Sequence, residues 1–191
     1  MCIRDRSGTG PKAGGPYYVK RLSKRSDSTL DVRYQQDLDT FNRVVIMLGP
    51  TGETNELSLH PRGTLLCEAD ENLDVLKTQI FKVTAAGNSA HIIAGDKIQN
   101  EIKTFQSEHT NIPMKLDFIL PEDLSKALTS EIDGVVTDGP NRDMIAKIIA
   151  ERDGPILPVL SVYDDIDRFG VERTVTIDVS AAGGNATLLA L

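Results

Sequence analysis

Between Gly63 and Val162 the sequence alternates two kinds of apolar pattern, and few architectures accept that alternation. Short runs suited to strands occupy residues 64–69, 90–94, 115–120, 134–137 and 156–162. Between them, apolar residues recur at helical spacing: Leu73, Leu76, Ile80 and Val83; Ile98, Ile102 and Phe105; Leu124 and Leu128; Met144, Ile145, Ile148 and Ile149. Each set falls on one face of a helix. Parallel neighbouring strands need a crossover, and a helix between each pair of strands supplies it. The prediction is an α/β fold, a Rossmann-like doubly wound parallel sheet over residues 63–171. An N-terminal hairpin precedes it and a C-terminal strand and tail follow.

Ligands of such sheets bind beyond the carboxyl ends of the strands, where helix N-termini offer free N–H groups to anions. Here those positions are acidic. The first strand runs into Glu68, Asp70 and Glu71, the second into Gly95-Asp96, and the third into Pro121-Glu122-Asp123. The fourth runs into Asp138-Gly139-Pro140-Asn141, with Asp143 just beyond. Carboxylates at these places are expected to cap the helices and to repel a pyrophosphate. A phosphoacceptor site built from Glu68, Asp70 and Thr137 would need a fifth-strand lysine, and Ile156-Leu157-Pro158-Val159-Leu160 has none. Cys67, between Leu66 and Glu68, has no positive neighbour to activate it. His60, His91 and His109 lack partners at metal-ligand spacing, so no metal site is expected. No catalytic or cofactor-binding residue is therefore assigned.

The flanks are of a different character. The first six residues, MCIRDR, back-translate into a sequence resembling a transposon end used to fragment DNA, and are set aside as a sequencing artefact. On that reading the chain starts in mid-protein. Gly8-Thr9-Gly10-Pro11-Lys12-Ala13 formally satisfies a dinucleotide fingerprint, but no strand precedes it and Pro16 interrupts the helix that should follow. Residues 23–42 read as a polar linker. Residues 43–62 read as a hairpin, Val44-Val45-Ile46-Met47-Leu48 turning at Gly49-Pro50-Thr51-Gly52 and returning through Leu57 and Leu59. A net charge of −7 and a pI near 5.0 argue against a nucleic acid or an anionic membrane as partner. The absence of a disulfide framework points to a cytoplasmic setting.

Residues 172–191, ERTVTIDVSAAGGNATLLAL, open as a strand in which Val175, Ile177 and Val179 share one face while Thr174, Thr176 and Asp178 share the other. Gly183, Gly184 and Asn185 then permit positive φ, and Leu188 begins an apolar ending. A strand that turns on glycine and closes apolar is expected to dock against another surface.

Three stretches resemble the long form of proline utilization A, the bifunctional proline dehydrogenase and L-glutamate γ-semialdehyde dehydrogenase family. SGTGPKAGGPYYVKRL (residues 7–22) resembles the end of its aldehyde dehydrogenase domain, and LGPTGETNELSLHPRGTLLC (48–67) the entry to its C-terminal domain. TVTIDVSAAGGNATLLAL (174–191) resembles its tail motif, ending Leu-Leu-Ala-Leu where the family commonly has methionine. The resemblance implies an aldehyde dehydrogenase superfamily-like fold for 63–171 that has lost its chemistry. In the family, proline is oxidised with FAD and the semialdehyde is channelled to an NAD-dependent domain making glutamate. Those catalytic and cofactor residues have no counterpart here, so FAD and NAD belong to the parent protein. The implied role is a lid that docks on the aldehyde dehydrogenase domain of the same polypeptide through Val175, Ile177, Val179, Gly183, Gly184, Asn185 and Leu188. The resemblance leaves room for a homo-oligomer, for nucleic-acid binding through a separate N-terminal domain, and for peripheral attachment of the parent to the inner membrane. The other reading is a free-standing Rossmann-like module that binds a nucleotide or small acid by itself.

Overall fold

A computed structural model describes residues 2–4, 15–22, 41, 43–49, 51–117, 123–128 and 131–178. In chain order its elements begin with β1 (Cys2–Arg4), α1 (Pro16–Leu22), β2 (Val44–Met47), β3 (Glu53–Pro61) and β4 (Thr64–Glu68). Then come α2 (Leu73–Ala85), β5 (Ser89–Ile93), α3 (Gln99–Glu108), β6 (Met114–Asp117) and α4 (Leu124–Ala127). The chain continues with β7 (Gly134–Thr137), α5 (Arg142–Glu151), β8 (Val159–Leu160) and β9 (Gly170–Asp178), and a short 3₁₀ turn, Ile166–Phe169, leads into β9.

Strand β4 has no solvent face: Leu65, Leu66 and Cys67 are all fully buried. It pairs in parallel with β5 on one side and β7 on the other, and the order across the sheet is β6-β5-β4-β7-β8. Alternate residues of the strands serve two cores. Leu65, Cys67, Ile92 and Val136 pack with Leu76, Ile80 and Val83 of α2 and with Ile102 and Phe105 of α3. Leu66, Ile93 and Val135 pack with Leu124 and with Ile145 and Ile149 of α5. Helices thus cover both faces of an all-parallel sheet, the doubly wound α/β fold expected from the alternation.

Three boundaries differ from the expectation. The strand expected over 156–162 shrinks to Val159–Leu160, because Pro155 and Pro158 have no N–H to give a ladder and Ile156 stands 77% exposed. The third strand is Met114–Asp117, and residues 118–120 of that expectation lie outside the described residues. Residues 2–4, set aside in the sequence reading, form β1 along β9, with Cys2 opposite Thr176 and Arg4 opposite Thr174. The open edge of β9 recruits main-chain hydrogen bonds, and these are indifferent to side-chain identity.

The hairpin and the last strand are one sheet, ordered β1-β9-β3-β2. Its longest ladder is antiparallel and runs from Pro61 opposite Gly170 to Glu53 opposite Asp178. Strand β2 lines the other edge of β3, with Ile46 opposite Glu56. Gly52, at φ 87°, makes the turn that returns β3 beside β2. At its root this ribbon is anchored in the first core by the buried side chains of Phe41, Leu59 and Phe169. Away from the root its burial falls off.

Candidate functional site

A cleft of about 560 Å³ opens at the carboxyl ends of β4 and β7, lined by residues 69–75 and 138–140. The chain leaves β4 for β5 on one side and later returns to β7 on the other, so the cleft occupies the topological switch point of the sheet. In an α/β fold a ligand's anionic group would meet helix N-termini there.

This protein places two of its own carboxylates beside that position. Glu68, 1% exposed, accepts hydrogen bonds from the Asp70 N–H at 2.8 Å, Asn141 Nδ2 at 3.2 Å and Thr137 Oγ1 at 2.7 Å. Asp138 accepts from Gln79 Nε2 at 2.9 Å, from the Val162 N–H through both oxygens, and from the Ser161 hydroxyl at very short range. Every one of these donors is neutral. The nearby Arg142 donates instead to the carbonyls of Thr137 and Leu160, at 2.5 and 3.0 Å. The two carboxylates thus engage loop and side-chain donors and set negative charge beside the cleft, which opposes an incoming phosphate or carboxylate.

The expectation that carboxylates cap the helices is corrected by this geometry. The α2 cap is Asn72, whose side chain accepts from the Val75 N–H at 3.1 Å. Asp123 and Asn141 precede α4 and α5 without a side-chain cap bond, and Gly95 precedes the 3₁₀ turn containing Asp96. Glu68 and Asp138 reach across the sheet rather than to their own helices because their oxygens meet partners on β7, α5 and the segment after β8. Such pairs lie 69 and 23 residues apart in sequence, and no local motif announces them.

Burial pushes the Cys67 thiol up, and the negative charge of Asp138 pushes it further in the same direction, so the group is held as an inert thiol. The three histidines are dispersed: His60 bonds Ser58 on β3, His91 is buried in β5, and His109 directs Nδ1 to the Phe105 carbonyl after α3. Among the described residues no group of three or more His, Cys, Asp or Glu is arranged to hold a metal ion. Nor, among them, is any helix long and apolar enough to cross a membrane.

The other candidate surface is the ribbon. Directly opposed residues share a face, which places Val44 with Ser58 and Arg173, Ile46 with Glu56 and Val175, and Thr54 with Ile177. Val44, Ile46 and Ile177 on this face are 52%, 66% and 40% exposed, and Val175 is half-buried. Val175 and Ile177 do share a face, as expected, but within this chain that face is not buried. The remaining residues assigned to the tail surface, Val179, Gly183, Gly184, Asn185 and Leu188, lie outside the described residues.

Comparison with known proteins then relates these features to a family. No family model matches the chain. The bifunctional protein PutA of Salmonella typhimurium is 28% identical over 97% of the chain, and that of Rhizobium meliloti is 29% identical over 98%. The chain is homologous to a segment of PutA. It spans only 17% and 18% of the lengths of those two relatives. A crystal structure of Bradyrhizobium japonicum PutA, the D779W mutant, superimposes with a TM-score of 0.54 at 25% identity, covering 66% of this chain and 14% of that one. PnpE in complex with nicotinamide adenine dinucleotide gives 0.54 at 12% identity, covering 62% of this chain and 26% of that chain. Its likeness concerns the fold alone. The PutA homology and the parallel sheet agree with the resemblance drawn from residues 7–22, 48–67 and 174–191. Sequence reasoning missed the long-range partners of Glu68 and Asp138 at the switch point of this PutA-like sheet, and it missed Val44 and Ile46 as companions of Val175 and Ile177.

Proposed function

We propose that this chain is a non-catalytic lid and docking module of a bifunctional proline-catabolic enzyme. That enzyme oxidises proline to glutamate through an FAD-dependent proline dehydrogenase and an NAD-dependent L-glutamate γ-semialdehyde dehydrogenase. Both cofactors are bound elsewhere in the parent, and the partner is its aldehyde dehydrogenase domain. The observation that carries this reading is the exposure of Val44, Ile46 and Ile177 beside the half-buried Val175, on a mixed face that also carries Thr54, Glu56 and Ser58 of β3. Large apolar side chains left exposed on one face of a ribbon suit a partner surface. The acidic lining of the cleft supports the non-catalytic half of the reading. Residues 7–22 end the dehydrogenase domain, 23–42 link it to the module, and 172–191 extend the docking surface.

The rival reading, a free-standing nucleotide- or small-acid-binding module, draws on the cleft at the switch point and on the nicotinamide dinucleotide bound by PnpE. Its difficulty is that the cleft is lined by Asp70, Glu71, Asp74 and Asp138 and has no glycine-rich loop. The test is binding of the chain to the separately expressed dehydrogenase domain. Ile46→Asp combined with Ile177→Asp should abolish complex formation in sedimentation or calorimetry while leaving the chain folded. Unchanged binding by the double variant would remove the docking face from the proposal.

A further inference from the structure

We propose that Phe41 is a positioning residue that fixes the direction of the apolar ribbon relative to the parallel sheet. Phe41 falls in the segment read as a solvated linker, yet it is only 4% exposed and belongs to the core with Leu59 and Phe169. A β-carbon built on Gly170 would lie 2.5 Å from Phe41 Cε1, 2.9 Å from Leu59 Cγ and 3.0 Å from the His60 carbonyl oxygen. The ring therefore rests on a bare α-carbon. Gly170 is the residue where β9 leaves the 3₁₀ turn and enters the ribbon opposite Pro61.

The ring thus shares the core with Leu59 of β3, covers the first residue of β9, and lies three residues before β2 in the chain. The sheet side of the same junction is held by Asn88. Its Oδ1 accepts from the N–H groups of Arg62 and Gly63 at 2.7 and 3.0 Å, and its Nδ2 donates to the Phe169 carbonyl at 3.0 Å. Arg62 Nε adds a bond to the Arg168 carbonyl at 3.1 Å. With the sheet side fixed, a swing of the ribbon at Gly170 has to displace the Phe41 ring seated on it. Cores have discrete packings rather than graded ones, so this seat is either occupied or lost.

The inference takes its purpose from the docking reading, but its test stands apart from it. Hydrogen exchange is followed on the intact 191-residue chain and on Phe41→Ala. Amides of 44–47 and 171–176 should exchange at least about tenfold faster in the variant, while those of 65–68 and 135–137 stay unchanged. Uniform acceleration, or none, overturns the proposal. Should Phe41→Ala fail to fold, Phe41→Leu, which keeps an apolar side chain in the seat and withdraws only the ring edge, replaces it and should accelerate the same ribbon amides selectively. Exchange in Phe41→Leu that is uniform or unchanged also overturns the proposal. Capture by the dehydrogenase domain separates the two readings. Phe41→Ala should weaken it by about tenfold or more. Ribbon-selective exchange in the variant with no capture of the wild-type chain supports the pivot and removes the docking reading.

Discussion

At the scale of single residues, the functionally informative groups are the buried Glu68 and the half-buried Asp138, each surrounded by neutral donors. Asp138 gathers Gln79, Ser161 and Val162, and so ties β7 to α2 and to the segment after β8. Replacing it with alanine leaves the Val162 N–H and one of the two Gln79 amide hydrogens without a partner, the other still donating to the Glu68 carbonyl, and should cost about 1–3 kcal/mol in a urea titration. Asp74→Ala, at an exposed position beside the same cleft, should change stability by less than about 0.5 kcal/mol. The contrast separates a carboxylate that ties elements together from one that only lines the cleft. Cys67 gives a pH-dependent signature. Its thiol is raised above its ordinary value of 9.0 in the fold, so the unfolded chain loses that proton first. Stability is unaffected at neutral pH and falls as pH rises past about 9, because the native state then binds more protons than the unfolded one. In a Cys2→Ser background, Cys67 should react with a thiol reagent at neutral pH only when the chain is denatured.

At the scale of elements, the ribbon carries opposite demands on its two ends. Near the root, Leu57 is 1% exposed, and Leu57→Ala should destabilise the chain by about 2–5 kcal/mol in thermal or denaturant melts. Farther out, Ile46→Ser on the open face should leave stability within about 0.5 kcal/mol and reduce self-association in sedimentation. This split explains what the sequence made legible. The α2 face of Leu76, Ile80 and Val83 is a local pattern, and β7 sits at 134–137 as predicted because Gly134-Val135-Val136-Thr137 is a short apolar run. The alternation in 174–178 likewise assigns Val175 and Ile177 to one face from local information. Which element shares that face depends on register with β3, more than a hundred residues away, and only the ladder from Pro61–Gly170 to Glu53–Asp178 brings Val44 and Ile46 beside them. Phe41 was hidden for a related reason. A single aromatic in a polar stretch has no periodicity, and its seat exists only because Gly170 lacks a side chain.

At the scale of the whole molecule, a nucleotide-type sheet with an acidic cleft at its switch point is joined to a ribbon with exposed apolar residues, and on the proposed reading the first is scaffold and the second docks. The isolated chain should accordingly bind NAD no more tightly than about millimolar in calorimetric titration, because Asp70, Glu71, Asp74 and Asp138 line the cleft and repel a pyrophosphate. A micromolar constant would favour the free-standing module. That the sheet is parallel was legible from strand–helix alternation, whereas its order β6-β5-β4-β7-β8 and the partners of the carboxylates beside its cleft were not. Acidic residues at strand ends are compatible with caps, metal ligands or a self-filled anion site, and only their long-range partners distinguish these. The most direct measurement removes residues 174–191 from the full-length enzyme and assays its two half-reactions separately. Semialdehyde oxidation and coupled proline-to-glutamate flux should fall while flavin-dependent proline oxidation stays near normal. Loss of neither activity, or equal loss of both, would contradict the account.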